Sequence, residues 1–414
     1  MNALWSQAAS NRSAPRQTQP RFAAIAPAAL LIGVGFMSST LVTPLYALYR
    51  GRFHFSEITL TLIYSVYVVG NLVALLFCGR VSDRIGRVRV GVPALILALC
   101  STVLYVFASG TVWLFAARLV SGFAVGLSSG TGTAWLADLY GKSGQSRATV
   151  AATSANLAGA AAGPLLAGLL AQYAPAPLQL PFFVYATMLV VTAVIVARAC
   201  ESVEQPAIDL KDVSFAPRIG VPPGAQGRFI PPAVAGFSSF ALAGFYFALL
   251  PGALSRDLGN TSIATAGAVV FEMIAIAALV TLFFRELKSD KAMLSGLLML
   301  VPSVVILVLA QAVKSMPLLL GGSAVTGAAL GLGYRGSLEV VNELAPQDKR
   351  AAVVSAYFCA IFVGNSIPII GIGVLSVLTG PLTANTVFAS TIGAFAIGAA
   401  AVGLRYFKTG KEEQ

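Results

Sequence analysis

Again and again along this chain, roughly 20 residues pass with scarcely a charge, the length that carries an α-helix across a hydrocarbon core of about 30 Å. Twelve such windows fit: 22–48, 57–79, 92–109, 112–139, 148–171 and 180–198, then 229–254, 263–284, 293–312, 316–344, 351–377 and 383–406. These expected helices are numbered α1 to α12. Hydrophobic residues fill 57% of the 414 positions and charged residues only 10%, against roughly 25% charged in soluble domains. So little polar surface cannot cover a water-facing molecule of this size. The fold class is an all-α membrane protein.

The stretch 199–228 is polar, with Glu201, Glu204, Asp209, Asp212 and prolines from Pro206 to Pro223. It reads as a linker between two bundles, 22–198 and 229–406. Residues 1–21 contain no apolar core of a cleavable leader and read as a disordered cytosolic tail, with 407–414 as a second tail. The halves echo one another. Leu72–Phe77 followed by Ser82-Asp83-Arg84 reappears as Leu279–Phe284 followed by Ser289-Asp290-Lys291, an offset of 207 residues. Gly122, Gly126 and Asp138 reappear as Gly327, Gly331 and Glu343 at an offset of 205. Parallel six-helix repeats are a transporter architecture. Of the 27 Lys and Arg residues, 21 fall on the side of the N-terminus and only 4 on the other. The positive-inside rule then puts both termini in the cytosol, in the plasma membrane of the cell.

The net charge of +11 is spread over short loops without an aromatic-lined patch, which excludes nucleic acid as a partner. One histidine, His54, leaves no histidine metal cluster. Cys78, Cys100, Cys200 and Cys359 lack ligand spacing and read as small buried hydrophobes. No nucleophile–base pair or phosphate loop is present, so neither an enzyme with catalytic residues nor a cofactor or metal site is expected.

Between α2 and α3 stands Gly79-Arg80-Val81-Ser82-Asp83-Arg84-Ile85-Gly86-Arg87. It resembles the G-x-x-x-D-R-x-G-R signature of the major facilitator superfamily, and the likeness extends over 22–406. The resemblance implies two pseudo-symmetric six-helix bundles working by alternating access. In that family the constellation latches the cytosolic side, which assigns Gly79, Asp83, Arg84, Gly86 and Arg87 to a cytosolic gate. Asp83 could sit at the positive N-terminus of α11 near Ala351. Asp138 is the first choice of partner for Arg84 and Arg87. The second copy is degraded, with Glu286, Met293 and Leu294 in place of Gly79, Gly86 and Arg87, so a weaker second latch is expected.

In α5, Gly159, Gly163, Pro164 and Gly168 are similar to the family's G-x-x-x-G-P-x-x-G-G element, with Ala167 replacing one glycine. The resemblance implies an antiporter-type exporter, while small residues at this spacing also serve plain helix packing. In α4, Arg118 opens an element similar to the family's R-x-x-x-G and lies about 9 Å deep. It serves coupling, an anionic substrate group, or a structural hydrogen-bonding knot.

Glu272 lies about 13 Å into α8, where loss of water favours a carboxyl's neutral form. That makes it the first candidate for a protonatable coupling site or a cation-binding group, against a protonated glutamate bonded between helices. Arg335 and Glu339 in α10 are spaced to pair, as a gate or a self-neutralised structural pair. α1 has no carboxylate of the kind many proton-coupled exporters of the family place there. The expected cavity wall is instead polar and aromatic: Thr43, Tyr46, Tyr64, Tyr67, Asn71, Tyr246, Tyr357 and Asn365, with Ser38, Ser39, Thr40 and Phe245 beside them. Such a wall suits an amphipathic or weakly charged organic molecule.

The expected function is therefore secondary active transport of small organic molecules, as a proton-coupled efflux antiporter. The alternative is a symporter or facilitator for a small metabolite such as a sugar or organic acid. The partners are the substrate, protons and the lipid bilayer, and the chain is expected to act as a monomer.

Overall fold

The computed structural model describes residues 22–79, 81–141, 144–203, 219–346 and 349–412. The expected tail 1–21 and most of the expected linker lie outside the described residues. Twelve helices among them are long and apolar enough to cross a membrane. In the first half they are α1 (Ala23–Phe53), α2 (Glu57–Cys78), α3 (Arg87–Val106), α4 (Thr111–Tyr140), α5 (Arg147–Tyr173) and α6 (Leu180–Ala197). In the second they are α7 (Gln226–Ala248), α8 (Ile263–Phe283), α9 (Ser289–Ala312), α10 (Met316–Leu344), α11 (Ala352–Thr379) and α12 (Pro381–Tyr406). The last helix continues to Glu412, so most of the expected tail 407–414 prolongs α12 as helix.

Each bundle packs as the other does. α4 contacts α1, α2 and α3, as α10 contacts α7, α8 and α9; α3 meets α6 as α9 meets α12. The small-residue spacing read from the sequence makes close helix approaches in both bundles. Gly122 lies against the carbonyl of Tyr67, and its counterpart Gly327 lies against that of Met273. Even the helix starts repeat. The Ser56 hydroxyl accepts from the Thr59 amide at the head of α2, and Ser262 accepts from Thr265 at the head of α8. These caps satisfy amides that the first turn cannot.

Three spans are interrupted where proline removes a backbone donor. α1 is regular to Thr40, passes through a 3-10 turn at Thr43–Leu45 containing Pro44, and resumes as Tyr46–Phe53. After α7 the chain continues as Leu250–Asp257, with Pro251 in its first turn. α11 consists of Arg350–Gly364 and Ile367–Thr379, with Pro368 opening the second piece.

Crossing six times per bundle puts the chain ends and the inter-bundle connection on one face, here called the terminal face; the other is the far face. The bundles meet chiefly along α5–α8 and α2–α11. Among the described residues, the polar contacts that join them all lie at mid-span or toward the far face. They are Glu57 with Arg256, Gln172 with the Ile263 amide, Tyr64 with Asn365 and Ser65 with the Ser366 carbonyl.

The cysteines correct one expectation. Cys100 and Cys200 are exposed, and Cys78 and Cys359 are half-buried. An apolar run in a bilayer protein has a lipid-facing side as well as a packed one, so position within it does not imply burial.

Candidate functional site

The α2–α3 loop is tied into the first bundle by charge. Val81–Ile85 forms a short helix, and Gly86 (φ 117°) turns the chain into α3. Arg87 is the hub. Its Nε donates to Asp138 Oδ2 at 2.8 Å, and its Nη1 donates to Ser82 Oγ at 2.8 Å and to Asp83. The chosen partner Asp138, from the end of α4, is thus in place. Sequence reasoning missed Glu201, just beyond α6. Its carboxylate accepts from the Arg87 amide at 2.7 Å and the Val88 amide at 3.0 Å, capping the positive end of α3. Ser202 also reaches Asp138, at 3.0 Å.

Two expectations about this loop change. Asp83 is held by Arg87 in its own bundle rather than by the N-terminus of α11, and Arg84 is exposed without an ion pair among the described residues. The reason is that the bundles are tied together toward the far face, away from this loop. Gly79 ends α2 in right-handed helical geometry.

The second-half loop is held differently. Ser289 donates to Glu343 at 2.8 Å, and Arg335 does the rest. Besides its 2.9 Å pair with Glu339, Arg335 donates to the carbonyls of Phe284, Arg285 (2.5 Å) and Leu287 (3.0 Å). A cation at the carbonyl end of α8 satisfies groups that the helix leaves open. Arg335 and Glu339 therefore serve as a clamp on the α8–α9 turn.

The α5 element divides its contacts between the bundles. Gly159 lies against Gly33, and Gly163 against Met37, Thr40 and Leu41 of α1. Gly168 and the Pro164 carbonyl pack against α8 at Ile263, Ala264 and Gly267. Gly168 and Gly267 are back to back, and a side chain on either would separate the two helices. This stretch forms the seam between the bundles.

Within the first bundle, several wall residues converge on Arg118, which has no exposed surface. Its guanidinium lies 5.5 Å from the ring centre of Tyr46, 5.4 Å from Tyr64 and 5.3 Å from Tyr67. Its Nη1 donates to the Ser39 carbonyl at 2.7 Å. That acceptor belongs to the last regular turn of α1, where carbonyls lose their helical partners before the Pro44 break. Asn71 donates to the Tyr67 hydroxyl at 3.3 Å, and the Tyr64 hydroxyl donates to Asn365 Oδ1 of the other bundle at 2.9 Å. Tyr105 completes the surroundings and was missed, being remote in sequence from the other tyrosines. Thr43 is buried with its hydroxyl unpartnered.

Tyr246 and Tyr357 lie apart from this cluster, inside the second bundle. The Thr326 hydroxyl donates to Tyr246 at 3.4 Å, and Tyr357 bonds to Ser337.

Glu272 is half-buried. The buried side of α8 carries Val269, Val270, Met273 and Ile274, and its exposed side carries Phe271 and Leu279. Glu272 lies on the flank toward α10, where Ser323 Oγ donates to its Oε2 at 2.7 Å. Ser323 and Thr326 are one turn apart, so α10 links the Glu272 carboxylate to the Tyr246 hydroxyl.

The comparisons fit this arrangement. Crystal structures of a bacterial homologue of the human lysosomal transporter Spinster, in inward-facing unoccupied and occupied conformations, superpose with TM-scores of 0.71 and 0.69 at 16% identity. Each alignment covers 95% of this chain and 99% or 98% of the other. Identity that low shows the fold alone. No curated protein matches the sequence. The profile of the Major Facilitator Superfamily matches residues 28–368, most of the length over which the two repeats and the α2–α3 loop were traced. The chain belongs to the Major Facilitator Superfamily: it is a multi-pass membrane protein built for secondary transport, and not an enzyme.

Proposed function

We propose that this transporter is a proton-coupled antiporter that exports small organic molecules across the plasma membrane, with both termini in the cytosol. The observation that carries the reading is the bond from Ser323 to Glu272, the carboxylate at mid-depth of α8. An ionised carboxylate accepts a hydrogen bond, whereas a protonated one can also donate. A proton arriving at Glu272 therefore changes the tie between α8 and α10. The other side of α8 forms the seam with α5, so protonation and the closure of the bundles share one helix. The α5 element at that seam supports export, through its similarity to the antiporter-type motif. The far face, where the bundles are tied, is then the outside, and this conformation is the one directed inward.

Purified protein in liposomes with an imposed pH gradient tests the reading against a panel of aromatic and amphipathic compounds. Glu272→Gln keeps the shape and mimics the protonated form. It should abolish accumulation driven by the gradient while sparing substrate binding. If the variant still concentrates substrate in response to pH, the proton site is elsewhere, with Glu339 released from Arg335 the next to examine.

A further inference from the structure

Two arginines at the terminal-face end of the first bundle stand open. Arg89, in the first turn of α3, and Arg198, at the end of α6, are both exposed. Neither has an ion pair or a side-chain hydrogen bond among the described residues. Glu201, just beyond Arg198, is the nearest carboxylate in sequence, but both of its oxygens are taken by backbone amides, those of Arg87, Val88, Ser202 and Val203. α3 runs away from the terminal face and α6 returns to it, and the two pack together with Gly91 beside Val196. Arg89 precedes that contact by two residues and Arg198 follows it by two, so both stand at one level, about 3 Å nearer the face.

From that level toward mid-membrane, a shallow groove of about 310 Å³ opens between the same two helices. Its walls are apolar, with Ile96 and Leu99 from α3 and Val190, Ala193, Val194 and Ala197 from α6. The small alanines make the trough, and Ile96, Val190 and Val194 are exposed on the outside of the bundle. Helical spacing lines the arginines up with it. Arg89 lies two turns before Ile96, and Arg198 lies one and two turns after Val194 and Val190, each on the stripe that forms the wall. From Val190 to Ala197 the groove runs about 10 Å, roughly two thirds of one leaflet of a 30 Å core. Positive charge on one face serves orientation wherever on that face it lies. Orientation does not require two unpaired arginines at the mouth of a single groove.

We propose that the α3–α6 groove is a binding site for one anionic phospholipid of the terminal-face leaflet. An acyl chain lies in the groove, and Arg89 and Arg198 hold the headgroup phosphate. Guanidinium groups suit phosphate because they donate paired hydrogen bonds, and basic pockets between membrane helices lodge anionic headgroups. The bound lipid braces the end of α6 from which Glu201 caps α3, and so steadies the α2–α3 loop. The site does not depend on the direction of transport or on proton coupling.

Native mass spectrometry of the full-length protein in detergent measures the binding, with the thermal unfolding midpoint as a second readout. The probes are dioleoyl phosphatidylglycerol and dioleoyl phosphatidylcholine, which share acyl chains and differ in charge, and inorganic phosphate. Phosphatidylglycerol should bind at its first site about tenfold more tightly than phosphatidylcholine and raise the midpoint. Arg89→Gln/Arg198→Gln should bring the two lipids to within about twofold, and either single variant should lower the preference roughly threefold. Lys288→Gln/Lys291→Gln removes the same charge from exposed positions on the same face of the second bundle and should leave the preference intact. Ala193→Phe fills the groove without changing charge and should weaken phosphatidylglycerol about fivefold. An excess of inorganic phosphate should not displace the lipid.

A preference retained in the double arginine variant would overturn the proposal. An equal loss in the lysine pair would also overturn it, by showing that the whole face attracts anionic lipid. Undiminished binding in Ala193→Phe would take the acyl chain out of the groove, and displacement by phosphate would make this a free-anion site; either result overturns it. Should the double arginine variant fail to fold, the single variants and Ala193→Phe still decide.

Discussion

Gly86 holds the turn into α3 at φ 117°, and an added Cβ would run into the Glu201 carboxylate that caps the helix. Gly86→Ala should therefore destabilise the protein by roughly 1–3 kcal/mol, read from thermal unfolding in detergent. Glu201→Gln keeps an acceptor but removes the charge at the helix end, and should cost on the order of 1 kcal/mol. A loss as large as that of Gly86→Ala would mean that Glu201 does more than cap. Asp83→Asn removes one of the two carboxylates on Arg87. It should slow transport sharply while insertion and folding persist; unchanged transport would sink the latch reading of this loop. The turn and Asp138 were legible because glycine and paired charges mark themselves in a sequence. Glu201 was not, since only folding brings a residue 114 positions away onto the Arg87 amide.

At the scale of elements, the seam rests on two kinds of contact. Gly168 of α5 and Gly267 of α8 let two helices touch at their backbones, and Glu57 of α2 pairs with Arg256, just after α7, at 3.2 Å. Arg50 at 3.8 Å and Asp257, bonded to Arg256, extend the pair into a small network. Glu57→Gln should weaken closure of the far face by on the order of 1 kcal/mol, a shift of roughly fivefold between two conformations. The measurement is maleimide labelling of a cysteine placed at Thr61, which packs against Gly373 of α11, in a background without native cysteines. Labelling should speed up in the variant and keep its original rate in Glu57→Asp, which retains the charge. No change would show that the ion pair follows closure rather than holding it. The helices themselves were readable from apolar length. The breaks in α1 and α11 were not, because a proline permits an interruption but neighbouring groups decide whether the freed carbonyl finds a partner.

At the scale of the whole molecule, the uneven division of positive charge makes a simple expectation. A reporter fused after Gln414 and another inserted near Gln226 should both be cytosolic, and either one outside the cell would reverse the assigned orientation. The number of crossings, the class of fold and the internal duplication follow from the sequence alone, because hydrophobic length and repeated spacing are one-dimensional properties that a bilayer reads directly. Burial, partners and conformation depend on which helix faces meet, and only the tertiary structure decided those. It turned Arg335 into a clamp for the end of α8, placed Glu272 on a flank beside Ser323, and held Asp83 within its own bundle. It also gathered tyrosines from separate spans around Arg118. A charge in a sequence is only an unsatisfied group, and whether it is neutralised, capped or left open depends on contacts between residues far apart along the chain.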